Sequence, residues 1–286
     1  MRAQQLHTTT ALLGSDEEAD VQLIVHEARK AIKRLRTLDT LIAQGRARGE
    51  RRAARANLRQ AAQSLAGTRD AQVCSSTLEA LLESEHDLAA LDWVRRFQAR
   101  LRAERAEAEL ATQARSARRE ALSPLLCVQA AGPPSAPTDE QVGAAFVEIY
   151  RQARRAMKCA LRTEADADLH RWRKRVKDLR HALEALTVSD GSRPAAGSKN
   201  LRISKAGKKA AELGEVLGEA HDLEVLAEKV RAQARDAAAT LLLAAIEKRK
   251  AALRRSAFEI GGRLLAEKPG EFAERRLRKR GGAQPS

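Results

Sequence analysis

Helix breakers in this chain are gathered into a few clusters, and long runs of helix formers lie between them. Ala, Leu, Arg, Glu and Gln dominate those runs, and all favour the α-helix. Alternation of β-branched residues, the mark of a half-buried strand, is nearly absent. Gly45 and Gly49 bracket one turn. Pro124, Gly132, Pro133, Pro134 and Pro137 fall within Ser123–Asp139, where no helix is expected to cross. A third break holds Gly191, Pro194 and Gly197. The pattern predicts an all-α chain with helices near 16–43, 50–67, 70–84 and 87–120. After a linker, helices follow near 139–163, 166–187, 199–217 and 221–266, the last broken once. Long helices with short loops pack antiparallel, so each half is expected to form a four-helix bundle.

The expected domain plan is therefore a first helical half over 16–120, a Pro-rich linker over 121–138 and a second half over 139–266. A basic tail over 267–286 is expected to be disordered, because it is punctuated by Gly and Pro.

The two halves repeat each other. His26-Glu-Ala-Arg29-Lys30-Ala-Ile-Lys33-Arg-Leu35-Arg36 and His170-Arg-Trp-Arg173-Lys174-Arg-Val-Lys177-Asp-Leu179-Arg180 share the pattern H-x-x-R-K-x-x-K-x-L-R. A second echo follows in the same order, Leu65-Ala-Gly-Thr-Arg69-Asp70 and Leu217-Gly-Glu-Ala-His221-Asp222. Two ordered matches point to duplication of a helical unit.

At about 100° per residue, His26, Arg29, Lys30, Lys33 and Arg36 share one helix face, with Arg34 at its edge. Ile24, Ala28, Ile32, Leu35 and Ile42 lie on the other. In the second copy His170, Arg173, Lys174, Lys177, Arg180 and His181 share a face, away from Trp172, Val176, Leu179 and Leu183. Most charge runs are merely solvated helix faces. Here, however, Arg29 and Lys33, and again Arg173 and Lys177, are like charges four residues apart, and each pair repels. A repulsion repeated at matching positions is better explained by a polyanion that relieves it. Each stripe spans about 15 Å of helix, the length of a row of phosphates rather than of one. Arg supplies forked donors and Lys a compact charge, both suited to phosphate oxygens. Secondary basic positions are Arg52, Arg55 and Arg59 in the first half, and Arg202, Lys205, Lys208 and Lys209 in the second. Arg69 and His221 are further candidates. Asp70 and Asp222 would orient a neighbouring cation or cap a helix. Arg275, Arg276, Arg278, Lys279 and Arg280 in the tail would add nonspecific attraction.

Composition narrows the function. Lys and Arg number 53 against 38 Asp and Glu, a formal net charge of +15, which suits an anionic partner. Aromatics are only 2% of the chain, too few to build base-stacking platforms. No helix-turn-helix or zinc-finger pattern is present, which argues against sequence-specific nucleic-acid readout but not against attraction to a phosphate backbone. Cys74, Cys127 and Cys159 form no C-x-x-C pair, so no metal site and no disulfide framework is expected. Phosphoryl hydrolysis usually needs Mg²⁺ and clustered carboxylates. The candidate faces hold cations and histidines instead, so no cofactor and no catalysis are expected. The Glu83, Glu85, His86, Asp87 cluster reads as a polar helix junction. The start of the chain lacks the apolar core of a signal peptide, and Ala237–Ile246 is too short to span a bilayer, so a soluble cytoplasmic protein is expected.

The paired motifs, each followed by a Leu-Gly-x-x-(Arg/His)-Asp-like segment, resemble the CHAD family, the conserved histidine α-helical domain, over roughly residues 16–265. The resemblance implies two four-helix bundles related by a pseudo-twofold axis, with the basic faces meeting around a central groove or pore. It also implies binding of inorganic polyphosphate and association with polyphosphate granules. The competing reading, from charge alone, is a sequence-independent RNA- or DNA-binding protein. The family's basic positions carry over to His26, Arg29, Lys30, Lys33 and Arg36, and to His170, Arg173, Lys174, Lys177 and Arg180. Ala66-Gly67 stands where the second half has Gly218-Glu219, a departure from the repeat. The chain reads as a stand-alone member, without the acidic β-barrel pattern of a fused triphosphate-processing domain.

Overall fold

A computed structural model describes residues 2–14, 21–42, 47–65, 69–112, 115–132, 134–188, 199–233 and 236–277. Among the described residues every regular element is an α-helix. In chain order these are α1 (Arg2–Gly14), α2 (Val21–Leu41), α3 (Arg48–Ser64), α4 (Arg69–Ser84), α5 (His86–Ala89) and α6 (Asp92–Thr112). The chain continues with α7 (Arg115–Ala130), α8 (Asp139–Thr163), α9 (Asp166–Val188), α10 (Lys199–Arg231), α11 (Ala237–Leu264) and α12 (Pro269–Leu277). The all-α expectation holds, and α8 and α9 fall where the pattern put them.

The helices gather into two units that are not consecutive in sequence. The first holds Met1–Asp39, Gly45–Ser135 and Glu219–Ala252, and the second Thr40–Gln44, Ala136–Gly218 and Leu253–Ser286. The division at Ser135/Ala136 falls inside the expected linker. The expected halves nevertheless need correction, because the later part of α10 and the earlier part of α11 belong with the first unit.

In the first unit, α1, α2, α3 and α7 close over one core. Leu6 and Leu13, Ile24, Ala28, Ile32 and Leu35, Leu58 and Ala61, and Ala121, Leu125 and Val128 are all buried in it. Burying each such Leu or Ile is worth about 1.5–3 kcal/mol. The sequence reading has no helix at α1, where Thr8, Thr9 and Thr10 lower helix propensity. Their hydroxyls donate back to the carbonyls of Gln4, Gln5 and His7 at 2.9, 2.6 and 2.9 Å, so Thr9 and Thr10 can be buried without an unmet polar group.

The barrier expected at Pro124 also fails, because α7 runs through it. Pro124 removes one hydrogen bond, but it lies on the buried side beside Ala121, Leu125 and Val128. Packing of that face outweighs the lost bond. Helix therefore occupies 121–130 of the expected linker, and only the remainder connects.

A polar cluster also ties the first unit. Lys250 is 1% exposed and pairs with Glu224 and, at 3.2 Å, with Glu247. Arg231 reaches the same two carboxylates at 2.9 and 3.0 Å. Burial pushes the Glu224 carboxyl up, but the hydrogen bonds from Lys250 and Arg231 outweigh it and hold it below the ordinary carboxylate range.

The second unit has an aromatic core. α8 starts with a capping box: Gln141 N–H donates to Thr138 Oγ1 at 3.2 Å, and Thr138 N–H to Gln141 Oε1 at 3.0 Å. It ends at Glu164, whose φ of 51° is left-handed. Tyr150 stacks on Phe272 at 3.8 Å between centroids, and Phe146 packs on the same ring at 5.9 Å. Trp172 stacks on Phe258 at 5.3 Å. A Cβ at Gly261 would come within 2.5 Å of the Trp172 ring, so only glycine admits the indole there.

Phe272 belongs to α12, in the stretch expected to be a disordered tail, and is fully buried. Arg276, expected as a free tail cation, lies over the Phe272 ring at 3.5 Å and pairs with Glu267 at 3.2 Å. An aromatic anchor one turn before a cation makes this segment a packed helix. Arg278, Lys279 and Arg280 lie outside the described residues.

Candidate functional site

The first basic strip lies on α2. Its apolar positions Ile24, Ala28, Ile32 and Leu35 enter the core, which turns the cations outward. His26 and Arg36 are exposed, and Arg29, Lys30, Lys33 and Arg34 are half-buried. An acid stands within the strip, for Lys30 Nζ pairs with Glu27 Oε1 at 2.9 Å. The hydrogen bond from Lys30, joined by the charges of Lys30, His26 and Arg34, holds the Glu27 carboxyl below its ordinary range against a smaller opposing effect of burial. Arg29 turns inward, and its Nη1 donates to the carbonyl oxygen of Leu65. Leu65 is the C-cap of α3, so this guanidinium satisfies one of the carbonyls a helix end leaves open.

Arg52, Arg55 and Arg59 line the exposed side of α3, opposite buried Ala54, Leu58 and Ala61. Arg69 opens α4, and its side chain lies outside the described residues, as do Ala66 and Gly67. His221, read with the second half, falls on the part of α10 that belongs to the first unit. The second echo is thus divided between units just after Gly218.

The second strip lies on α9. Trp172, Val176, Leu179 and Leu183 are fully buried, as the 3.6-residue pattern requires. Lys174 is exposed, and His170, Lys177, Arg180 and His181 are half-buried. Arg173 is buried, at 7% exposure. Arg180 Nε donates to Glu184 Oε1 at 2.7 Å.

Three glycines of α10 set α9 and α10 antiparallel at close range. Cβ atoms added at Gly207, Gly214 and Gly218 would lie 3.8 Å from Leu183 Cβ, 3.9 Å from Val176 Cγ1 and 3.4 Å from Arg173 Nη2. The sequence reading ends a helix at 217 and begins another at 221, but α10 runs straight through. Its glycines lie inside the helix, where an added methyl would make ordinary van der Waals contact with α9. The register they set puts exposed Lys209 level with His181, with exposed Lys208 and Lys205 close by in sequence. The side chain of Arg202 lies outside the described residues.

Sequence reasoning missed Glu27, Glu184 and Gly218 as parts of these strips. Glu27 stands inside the first motif, and Gly218 follows the Leu of the second echo, so both were in plain view. What the sequence lacks is the register that brings Gly218 under Arg173.

Each strip can do the same chemistry: several charge-assisted hydrogen bonds donated to oxygens spaced along a helix. Among the described residues, no group of three or more His, Cys, Asp and Glu is placed to hold a metal ion. Among them also, no helix is long and apolar enough to cross a membrane.

No curated protein matches the chain. The CHAD domain matches residues 3–195. That stretch takes in α1, which the resemblance seen in the sequence left out, and stops before α10, which the resemblance included. It contains both copies of the H-x-x-R-K-x-x-K-x-L-R motif, and the chain belongs to the CHAD domain family.

Proposed function

We propose that the protein binds inorganic polyphosphate through the basic strips of α2 and α9. The observation that carries the reading is the repetition of the strip. Two helices with matching cations turn their apolar sides into separate cores and leave Lys30, Lys33, Lys174, Lys177 and Arg180 at or near the surface. Lys205, Lys208 and Lys209 widen the second strip, and Arg52, Arg55 and Arg59 are secondary contacts of the first unit. Arg29 contributes chiefly by ordering the end of α3. In this reading the strips are copies of one duplicated unit, and each lays several cations along a phosphate chain. Binding is multivalent, so affinity rises with chain length and falls steeply with salt.

The same reading makes the protein a binding module and not an enzyme, because the strips are built of cations rather than of carboxylates that would hold Mg²⁺. Its place is the cytoplasm, with recruitment to polyphosphate granules. The net charge of +15 keeps one alternative in play, sequence-independent binding of RNA or DNA through their backbones.

A competition titration separates the two. Labelled long-chain polyphosphate is bound at near-physiological salt and challenged with RNA, duplex DNA and pyrophosphate at matched phosphate. Displacement by unlabelled long polyphosphate alone is the expected result. Equal displacement by RNA or DNA would make the protein a general polyanion binder.

A further inference from the structure

The α2 strip carries its own anion. Glu27, Lys30 and Arg34 stand at i, i+3 and i+7, on one helix face. The carboxylate accepts from Lys30 at 2.9 Å, and the two side chains are 42% and 44% exposed. His26 and Arg34 add their fields to that of Lys30. A carboxylate thus stands among three basic side chains where a phosphate oxygen would go. The second unit has a counterpart at the far end of its strip. Glu184 accepts from Arg180 at 2.7 Å, both 36% exposed.

As a stabilising device, an exposed pair of this kind contributes little. Toward an arriving polyanion it acts twice: the pair must be broken before Lys30 can turn to phosphate, and the released carboxylate repels the ligand.

We propose that Glu27 is a built-in competitor that lowers the affinity of the α2 strip for phosphate chains. This rests on the polyphosphate reading above. Glu27 occupies Lys30 until a chain with enough simultaneous contacts displaces it, so the strip discriminates against sparse anions.

The test compares Glu27→Gln with Glu79→Gln in the full chain. Glu79 also belongs to the first unit, pairs with Arg102 at 2.9 Å and is 34% exposed. Both variants remove one negative charge and one ion pair, but only Glu27 lies on the strip. Titration with long-chain polyphosphate is run at several salt concentrations. E27Q is expected to bind about three- to fivefold more tightly than the wild type, the range of an exposed ion pair released. Its log–log salt slope should steepen by about one. E79Q should stay within about 1.5-fold of the wild type. Equal gains in the two variants, or no gain in E27Q, would overturn the competitor role and leave the polyphosphate reading standing. A wild type that does not bind polyphosphate at all would overturn both.

Discussion

The two copies of the motif put the same arginine to different uses. Arg29 and Arg173 occupy matching positions, and each meets the matching place in the second echo. In the first unit α3 stops at Leu65, and Arg29 donates to the carbonyl exposed there. In the second unit α10 continues past Leu217, whose carbonyl lies inside the helix. Gly218 there lies against the Arg173 guanidinium, whose Nη2 is 3.4 Å from where a Cβ would sit. The stretches differ in sequence, Ala66-Gly67 against Gly218-Glu219 among other positions, and the arginine changes from a helix-end donor to a side chain lying against a continuous helix. The two motifs carry the same cations, while the surroundings of each decide which of them point at solvent.

The largest effect that would break this comparison is on binding. Lys33→Glu and Lys177→Glu together should weaken polyphosphate binding by about 100-fold, roughly tenfold for each reversed contact. A doubly reversed control on other surfaces, Lys248→Glu with Arg263→Glu, should cost about threefold or less. Measured singly, the two strip variants show which copy dominates. Equal losses in strip and control variants would remove the strips from the site.

A smaller effect concerns stability. Arg29→Ala leaves the Leu65 carbonyl without its donor and should lower the unfolding free energy by about 1–2 kcal/mol in denaturant titration. Gly218→Ala puts a methyl in ordinary contact with the Arg173 guanidinium and should bring the usual helix-propensity gain of about 1 kcal/mol. A loss of stability instead would show that Arg173 needs the bare glycine.

The smallest effect is spectroscopic and reports on the second unit alone. Tyr150 is the one tyrosine of the chain. Burial, aided by the charge of Glu267, pushes its phenol up to about 12. A raised phenol favours the folded state below its ordinary value near 10, and that contribution is lost as pH rises through about 12. Tyrosinate absorbance should therefore develop near pH 12 in the folded protein. A midpoint near 10 would place Tyr150 in water and undo its packing under α12.

Much of this was legible in the sequence. The faces of α2 and α9 follow directly from the 3.6-residue period, because each has one apolar and one basic side. α8 starts and ends where the pattern put a helix near 139–163. The failures share a cause: a local signal overruled by packing. The threonines of α1 weaken a helix that Leu6 and Leu13 anchor to the core. Pro124 should interrupt α7, yet its neighbours Leu125 and Val128 are buried. The break read between 217 and 221 is continuous helix, in which Gly214 and Gly218 lie against α9. On the site, the cations were readable one by one. The inward turn of Arg29 and the pairing of Lys30 with Glu27 depend on which neighbour the fold supplies.

The interleaving of the two units also governs how the protein can be made. The first unit needs Glu219–Ala252, and those residues are translated only after the whole of Ala136–Gly218. At about 5–20 residues per second, the early helices wait several seconds on the ribosome with part of their apolar surface unclosed. Neither unit is a contiguous segment that could be excised and still carry all its own pieces. α10, continuous across Gly218 and Glu219, carries residues of both units, and the last segment to be translated, Leu253–Ser286, completes the second unit after the first has all its pieces.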